Sequence, residues 1–214
     1  MRLLRIYDYK NVLDYIKPSS DELREMARGQ KLGFINVKND IVEWNLKLPV
    51  FARTFYAFLY YKRTIPTQEE FFMYYLRRNR NYFEERNFSD DLLEGIKARA
   101  FRAMPSLTRD ICFSKLVAER LPDCGVLYNI ELDFNEGIDL LVFNKKGIYG
   151  ICLFTDTQRA YEGRNAKENR HKVFDNVTYI ELPVKFTPSH RVGNYYLYGE
   201  KEYQDLINKL NLQP

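Results

Sequence analysis

Residues 126–157 read Val126-Leu-Tyr-Asn-Ile-Glu-Leu-Asp-Phe-Asn-Glu-Gly-Ile-Asp-Leu-Leu-Val-Phe-Asn-Lys-Lys-Gly-Ile-Tyr-Gly-Ile-Cys-Leu-Phe-Thr-Asp-Thr157. The apolar residues fall into three short runs, which predict three strands. Asn135-Glu136-Gly137 and Asn144-Lys145-Lys146-Gly147 separate the runs, and Asn and Gly tolerate the positive φ of tight hairpin turns. Asp139 lies at the head of the second strand, which is otherwise apolar. We expect its carboxylate either to cap the turn or to point into a functional site.

The sequence around these strands predicts further elements of an α+β protein with an α/β core. Residues 107–121 predict a helix before the strands, and residues 157–172 predict a polar helix after them. Residues 177–182 predict a fourth strand. Residues 195–198 predict a short strand or turn, which a closing amphipathic helix follows over residues 201–210.

Residues 1–104 predict a mainly helical N-terminal domain. Ser19 and Thr67 have the residue types and neighbours of helix N-caps. A short hairpin is predicted around Lys38-Asn39-Asp40. Pro105-Ser106 marks a break between two helices, so we place the domain boundary there and assign residues 105–214 to the second domain.

Two consecutive predicted helices, residues 49–61 and 68–79, are compatible with a DNA-binding helix-turn-helix motif. In that interpretation Arg77, Arg78 and Arg80 contact DNA phosphates. The alternative is ordinary core packing, because Phe71 and Tyr75 are core-type positions and a basic last turn complements the helix dipole.

The composition narrows the class of protein. The formal net charge is +4, which permits a polyanionic partner without requiring one. The three cysteines are an odd number without paired metal-ligand spacing, so we expect reduced thiols in a cytoplasmic protein. The two histidines make a Ser-His-Asp triad an unfavoured hypothesis. We expect neither a signal peptide nor a membrane span, since no long apolar run occurs.

The order helix, three strands, helix and strand over residues 106–182 resembles the core of the PD-(D/E)xK nuclease superfamily, which includes restriction endonucleases. The resemblance implies a restriction-endonuclease-like αβββαβ domain that cleaves DNA with Mg²⁺ or Mn²⁺. In that family an Asp opens the second strand, often after a Gly-x pair, and Gly137-Ile138-Asp139 fits this pattern. Two carboxylates would hold the metal ion against the scissile phosphate.

The third strand departs from the family pattern. At the usual spacing the acid and the lysine fall near Cys152 and Phe154, which neither bind Mg²⁺ nor carry a charge. Asp156 shares their face of the strand, so Asp156-Thr157-Gln158 is interpreted as an acid-x-Gln variant. The site that the resemblance implies consists of Asp139 and Asp156 as metal ligands, Gln158 in place of the lysine, and Glu119 as the helix carboxylate, with Asp110 and Glu131 as rivals to Glu119.

A basic segment after the third strand predicts contacts with nucleic acid. Its residues are Arg159, Arg164, Lys167, Arg170, His171 and Lys172. One of Arg159, Arg164 and Lys167 is also an alternative source of the missing lysine's charge. Each assignment has a structural alternative: a solvated face for the basic segment, a turn or N-cap for Asp156, and a surface position for Glu119.

Two functional hypotheses follow from the sequence. The first is a Mg²⁺-dependent endonuclease, or a nuclease-like component of a DNA-processing, restriction or mobile-element system. The second is a catalytically inactive relative that binds nucleic acid or a protein partner as a scaffold. Cys152 and Phe154 motivate the second hypothesis. A homodimer and a larger complex both stay open.

Overall fold

The computed structural model describes residues 2–33, 35–158, 161–162 and 173–210. The chain is an α+β protein with a four-stranded mixed sheet, as the sequence predicts. It divides into two compact units. The sheet unit comprises Met1–Tyr15, Asp110–Arg191 and Leu197–Pro214, and the helical unit comprises Ile16–Arg109 and Val192–Tyr196.

The regular elements are numbered here in chain order. The α-helices are α1 (Ser20–Arg28), α2 (Phe51–Lys62), α3 (Gln68–Arg78), α4 (Arg80–Glu84), α5 (Asp90–Arg120), α6 (Ile130–Glu136) and α7 (Glu200–Lys209). The strands are β1 (Gly125–Leu127), β2 (Leu140–Asn144), β3 (Gly147–Thr155), β4 (Val177–Val184), β5 (Arg191–Val192) and β6 (Tyr195–Tyr196).

Capping boxes start two helices of the helical unit, which confirms both predicted N-caps. Ser19 Oγ accepts the Glu22 N–H at 3.2 Å, and Glu22 Oε2 accepts the Ser19 N–H at 2.7 Å. Thr67 and Glu70 repeat the arrangement at 3.2 and 2.8 Å. These reciprocal bonds satisfy N–H groups that the first turn of a helix leaves without partners.

Aromatic side chains form the contact between α2 and α3. The Phe55 and Phe71 rings meet edge to face at 5.8 Å, and the Phe51 and Tyr75 rings lie 4.7 Å apart. Phe71 and Tyr75 are fully buried, so their predicted core role is confirmed. The Tyr75 hydroxyl donates to the Pro49 carbonyl at 2.9 Å, and burial raises the pKa of Tyr75.

The predicted break at Pro105-Ser106 is wrong, because α5 runs through Pro105 without interruption. Proline has no N–H and cannot donate to the carbonyl four residues earlier, which belongs to Phe101. The Gln68 side chain supplies the missing donor: its Nε2 donates to the Phe101 oxygen at 3.1 Å. Gln68 Oε1 accepts the Gly33 N–H at 2.6 Å, so the buried amide joins α3, α5 and the segment before residue 35.

The predicted hairpin around Lys38-Asn39-Asp40 is also wrong. Ile41–Asn45 forms a π-helical turn instead. Guanidinium groups of α5 satisfy the carbonyls of this segment: Arg99 donates to the Val42 oxygen, and Arg102 donates to the Val37 oxygen at 2.8 Å. Tertiary hydrogen bonds therefore replace the cross-strand bonds of a hairpin.

The sheet of the sheet unit has the strand order β1-β2-β3-β4. Both β1 and β3 are antiparallel to β2, whereas β4 is parallel to β3. Asn144 pairs with Gly147, which confirms the second predicted hairpin. The predicted fourth strand and closing helix are confirmed as β4 and α7.

The first predicted hairpin is wrong, because residues 130–136 form α6 instead of continuing a strand. Asn129 caps this helix, since its Oδ1 accepts the Glu131 and Leu132 N–H groups at 2.9 and 3.2 Å. Gly137 ends the helix in the left-handed conformation, with φ of 69°. Phe134 remains 68% exposed. The alternation of apolar residues here is therefore not a strand pattern, and β1 is only three residues long.

Residues at the N-terminus complete the sheet unit, although the sequence alone places them with the helices. The Arg2 guanidinium binds Glu136 through two hydrogen bonds of 2.7 and 2.8 Å and lies 4.1 Å above the Phe174 ring. These hydrogen bonds raise the pKa of Arg2 above its ordinary value. The Leu4 N–H donates to Asn176 Oδ1 at 2.7 Å, and Asn176 Nδ2 donates to the Leu4 oxygen at 2.9 Å.

Candidate functional site

Asp139 lies between the end of α6 and β2, where its backbone and side chain both bind β3. Its N–H donates to the Ile151 oxygen at 2.9 Å, and its Oδ2 accepts the Leu153 N–H at 2.6 Å. Before Asp139 the main chain turns away from β3 at Gly137, so no backbone carbonyl is in place to accept the Leu153 N–H. The Asp139 side-chain oxygen accepts it instead. The structural alternative for Asp139, a carboxylate that satisfies backbone donors, therefore accounts for one of its oxygens.

Cys152 and Phe154 occupy the positions where the nuclease pattern has an acid and a lysine. Cys152 is 5% exposed, and its Sγ donates to the Gly137 oxygen at 3.2 Å. Phe154 is 9% exposed and packs edge to face against Tyr161, with ring centroids 5.2 Å apart. Both side chains contribute to packing, and neither supplies an oxygen ligand or a charge.

The other predicted catalytic residues have hydrogen-bond or ion-pair partners that are not part of the predicted site. Asp156 is exposed beyond the end of β3, and its N–H donates to the Val184 oxygen at 2.8 Å. Gln158 Nε2 donates to Glu162 at 3.0 Å, and Glu119 pairs with Lys115 across one helical turn at 3.4 Å. In the part of the chain that the structure describes, no group of three or more His, Cys, Asp or Glu side chains could hold a metal ion. The Mg²⁺ site stays a prediction without a described ligand cluster.

The basic segment that the sequence singles out lies outside the described residues. This applies to all of its predicted nucleic-acid contacts: Arg159, Arg164, Lys167, Arg170, His171 and Lys172. The alternative in which Arg159, Arg164 or Lys167 replaces the nuclease lysine lies outside them as well.

The three arginines predicted to contact DNA, two at the end of α3 and Arg80 at the start of α4, are all exposed. Arg80 forms a 3.6 Å ion pair with Glu84, in which both side chains are more than 60% exposed. Arg77 and Arg78 occupy the last turn of α3, which Asn79 ends. Such exposed guanidinium groups are available for phosphate contacts.

The geometry of α3 bears on the helix-turn-helix interpretation. A recognition helix contacts base edges through its N-terminal residues. In α3 these are Gln68, which is buried, and the exposed Glu69 and Glu70. Carboxylates at that end repel phosphates, so the N-terminal turn of α3 lacks the charge expected of a recognition helix.

An exposed aromatic pair near these arginines in the sequence was not predicted. Tyr60 and Tyr61 are 44% and 67% exposed, with ring centroids 4.8 Å apart, and the exposed Lys62 and Arg63 follow them. The apolar composition of residues 49–61 suggests a helix buried on every side. The spacing of the sequence could have indicated the exposed pair. Tyr60 and Tyr61 lie seven and eight residues after Arg53, which places all three on one face of α2, away from the face that α3 covers.

The net positive charge of the chain comes from the helical unit. That unit contains 17 Lys and Arg against 12 Asp and Glu, a formal charge of +5. The sheet unit contains 16 against 17, a formal charge of −1. Within the described residues no helix is long and apolar enough to cross a membrane.

The fold and the site define an α+β protein with a mixed sheet, a basic helical unit and no described metal centre. Searches against protein-family models, curated proteins and solved structures returned no match.

Removing the Asp139 carboxylate is expected to weaken the sheet whether or not the chain has activity. Asp139→Ala should lower the free energy of unfolding by about 1–2 kcal/mol, because the Leu153 N–H loses its partner. Asp139→Asn keeps an acceptor oxygen and should cost less than half as much. Urea unfolding monitored by far-ultraviolet circular dichroism measures both values.

The control for this measurement is Asp156→Ala, which removes an exposed carboxylate and should change stability by less than about 0.5 kcal/mol. Equal stabilities of Asp139→Ala and Asp156→Ala would contradict the capping role of Asp139. The comparison also separates loss of catalysis from loss of folding in any nuclease assay.

Proposed function

We propose that this protein binds DNA through its basic helical unit and that its sheet unit is a nuclease-like scaffold without metal-dependent catalysis. The observation that carries the proposal is the segregation of charge: the helical unit has a formal charge of +5 and the sheet unit −1. Lys and Arg that neutralise phosphates supply most of the affinity of non-specific DNA binding.

The topology of the sheet supports the nuclease-like part of the proposal. Helix α5 precedes three antiparallel strands, and β4 then joins β3 in parallel. This is the element order that the PD-(D/E)xK resemblance implies, apart from the predicted helix over residues 157–172, most of which lies outside the described residues. A parallel connection from β3 to β4 needs a crossover, for which residues 156–176 provide the length. Helix α6 between β1 and β2 is an addition to the expected order.

The chemistry of β3 supports the absence of catalysis. Cys152 and Phe154 are buried where the acid and the lysine are expected, and Asp139 Oδ2 accepts a backbone N–H. Mg²⁺ prefers carboxylate and water oxygens in an octahedral arrangement. A thiol and a phenyl ring at the two positions of β3 offer no such ligands, so we derive no catalytic step through a metal ion.

Exposed side chains of the helical unit supply the proposed DNA contacts. Arg77 and Arg78 contact phosphates, as do Lys62 and Arg63. Tyr60 and Tyr61 present ring faces or edges to an unpaired base. Stacking on aromatic side chains requires no particular base sequence, so this contact is not sequence-specific.

The expected behaviour is metal-independent DNA binding that weakens with salt. With about four phosphates neutralised, the dissociation constant for duplex DNA should rise about 150-fold between 50 and 200 mM NaCl. Fluorescence anisotropy of a labelled 25-nucleotide DNA, single-stranded and duplex, measures this in EDTA. The double variant Arg77→Gln/Arg78→Gln should reduce the slope of log K against log salt by about 2.

A matched control has the same loss of charge in the same unit. Arg28 pairs with Glu25, and Arg86 pairs with Glu85 and lies 3.9 Å above the Tyr82 ring. Arg28→Gln/Arg86→Gln should therefore leave the salt slope closer to that of the unmodified protein. Failure of every DNA form to bind at 50 mM NaCl would reject the proposed function.

The same DNA substrates with Mn²⁺ decide between the scaffold and the catalytic hypothesis. No cleavage is expected. Cleavage that Asp139→Asn abolishes, in a variant whose stability is retained, would replace the scaffold with a metal-dependent nuclease. Mn²⁺ and Mg²⁺ are the ions to test, because phosphodiester hydrolysis in carboxylate sites uses these hard cations.

A further inference from the structure

The last turn of α2 exposes an aromatic side chain next to two cations. Tyr61 is 67% exposed, and the Tyr60 ring meets it at an interplanar angle of 68°. Lys62 and Arg63 follow directly in the chain, and both are exposed. Tyrosine is enriched at binding surfaces, because its ring gains from burial while its hydroxyl keeps a polar partner. Tyr61 is therefore a candidate contact for a ligand.

The charge around this ring has one sign over a long stretch of sequence. Residues 44–68, which include all of α2, contain no Asp or Glu but four cationic side chains: Lys47, Arg53, Lys62 and Arg63. The acidic residues that follow are already engaged. Glu69 pairs with Lys97 at 2.7 Å, and Glu70 accepts the Thr67 N–H at 2.8 Å. The end of α2 therefore complements a polyanion.

Arg63 holds a backbone conformation that costs free energy. It ends α2 in the left-handed region, with φ of 55°, and its N–H donates to the Leu59 oxygen at 2.9 Å. Glycine is the usual residue at this place in a helix, because a Cβ is strained there. Strain of this kind recurs at functional sites. The reason for an arginine here therefore lies outside folding.

The turn after α2 is fixed before any ligand binds. Ile65 is 1% exposed, and Gln30 Nε2 donates to its carbonyl oxygen at 3.0 Å, which ties the turn to the segment after α1. Pro66 is buried as well and restricts the backbone. A preformed surface loses little conformational freedom when it binds, so more of the contact energy appears as affinity.

We propose that the end of α2 binds single-stranded DNA, with an unpaired base stacked on Tyr61 and neighbouring phosphates bound by Lys62 and Arg63. The inference rests on the proposed function, because it names the form of DNA that this part of the helical unit selects. Bases inside a duplex are paired and stacked on one another, so a duplex offers the site its phosphates alone. Every base has a face that can stack, so the site selects unpaired DNA of any sequence.

The preference for single strands should grow with salt. Each neutralised phosphate adds about 0.7 to the salt slope for a single strand and about 0.9 for a duplex, and an uncharged ring adds nothing. With about four phosphates in each complex, the affinity for oligo(dT) of about 25 nucleotides should fall about 50-fold between 50 and 200 mM NaCl, against about 150-fold for a duplex. At 200 mM NaCl the single strand should bind at least about tenfold more tightly, as measured by anisotropy in EDTA.

Tyr61→Leu removes the ring and keeps an apolar side chain. It should weaken the binding of oligo(dT) about tenfold, which corresponds to the loss of one stacked base, and leave the affinity for the duplex unchanged. Tyr7→Leu is the matched control, because Tyr7 is 93% exposed but belongs to the sheet unit. An affinity for oligo(dT) that Tyr61→Leu lowers no more than Tyr7→Leu does overturns the inference.

Arg63→Gly separates binding from folding. It should raise the melting temperature by about 2 °C, because glycine relieves the left-handed strain. It should also reduce the slope of log K against log salt for oligo(dT) by about 0.7, since one phosphate contact is lost. Lys62→Gln should reduce the slope by a similar amount without relieving strain. A slope that is unchanged in both variants removes these cations from the site and overturns the inference.

A fluorescent side chain at position 61 reports the stacking directly. Trp44 is the single tryptophan of the chain and is 81% exposed, so Trp44→Phe removes the background emission. In that background Tyr61→Trp should retain the binding of oligo(dT), which should quench its emission, whereas a bound duplex should not. Emission that bound oligo(dT) leaves unchanged overturns the stacking contact. Equal binding of both DNA forms at 200 mM NaCl rejects this inference alone, whereas binding of neither at 50 mM NaCl rejects the proposed function as well.

Discussion

Glu202→Gln is expected to lower the free energy of unfolding by about 3 kcal/mol, although it replaces only one oxygen atom with an NH₂ group. The Glu202 carboxylate is buried and accepts two hydrogen bonds. His190 Nε2 donates to Oε1 at 2.8 Å, and the Gly199 N–H donates to Oε2 at 2.8 Å. A glutamine amide has one acceptor oxygen, so its NH₂ group must face one of the two donors.

The histidine cannot relieve this conflict by moving its proton. The Thr187 N–H donates to His190 Nδ1 at 3.0 Å, so Nδ1 is an acceptor and Nε2 carries the proton that Glu202 accepts. His190 and Glu202 are 5% and 3% exposed, which keeps water from replacing the lost bond. The donor that loses its acceptor therefore stays desolvated and without a bond.

Glu200→Gln is the matched control, because Glu200 lies in the same first turn of α7. Both substitutions remove a carboxylate that interacts favourably with the helix dipole. Glu200, however, is exposed and pairs with the exposed Arg120 at 2.7 Å, which contributes about 0–1 kcal/mol. Urea unfolding should therefore separate the two variants by about 2 kcal/mol. Equal stabilities would contradict a stabilising role for the buried pair.

A double-mutant cycle tests whether the two side chains act together. His190→Leu and Glu202→Leu each leave a partner group buried without its bond, whereas the double variant removes both groups. The double variant should therefore cost less than the sum of the single variants, by at least about 1 kcal/mol. Additive costs would show that the two residues stabilise the fold independently.

The sequence predicts the elements whose signals are local. Ser19 and Thr67 predict the starts of α1 and α3, because each cap and its acidic partner lie within one helical turn of each other. The hairpin at Asn144–Gly147 follows from turn chemistry in the same way. At residues 130–136 the local pattern predicts the wrong element. Their apolar residues alternate like those of a strand, but an Asn cap before them and Gly137 after them produce a helix.

The other errors come from interactions between residues that are distant in sequence. Pro105 is tolerated inside α5 because Gln68, 37 residues earlier, replaces its missing N–H. The segment around Asn39 does not form a hairpin because arginines of α5 bind its carbonyls. The sequence singles out Asp139 by its place at the head of β2, yet that position gives no indication of which donor its carboxylate accepts. A pattern predicts a side chain's position more readily than its partners.

Gln68→Leu is expected to lower the free energy of unfolding by about 2–3 kcal/mol, since it leaves the Phe101 carbonyl without a donor inside the helical unit. Leucine approximates the size of the glutamine side chain, so the cost reports mainly lost hydrogen bonds. Thr67→Ala serves as the comparison, because it removes a helix cap one residue earlier at a cost of about 1 kcal/mol. Urea unfolding measures the overall stability, and hydrogen exchange of the α5 amides shows whether the loss is local.

Pro105→Ala identifies the cause of that cost. Alanine restores an N–H at position 105, four residues after Phe101, where an α-helix directs it at the Phe101 oxygen. In the Pro105→Ala background, Gln68→Leu should therefore cost about 1 kcal/mol less than in the unmodified chain. The remaining cost belongs to the Gly33 N–H, which loses its bond to Gln68 Oε1 in both backgrounds. A cost that is the same in both backgrounds would mean that the bond from Gln68 to the Phe101 oxygen does not stabilise α5, and that the proline is tolerated for another reason.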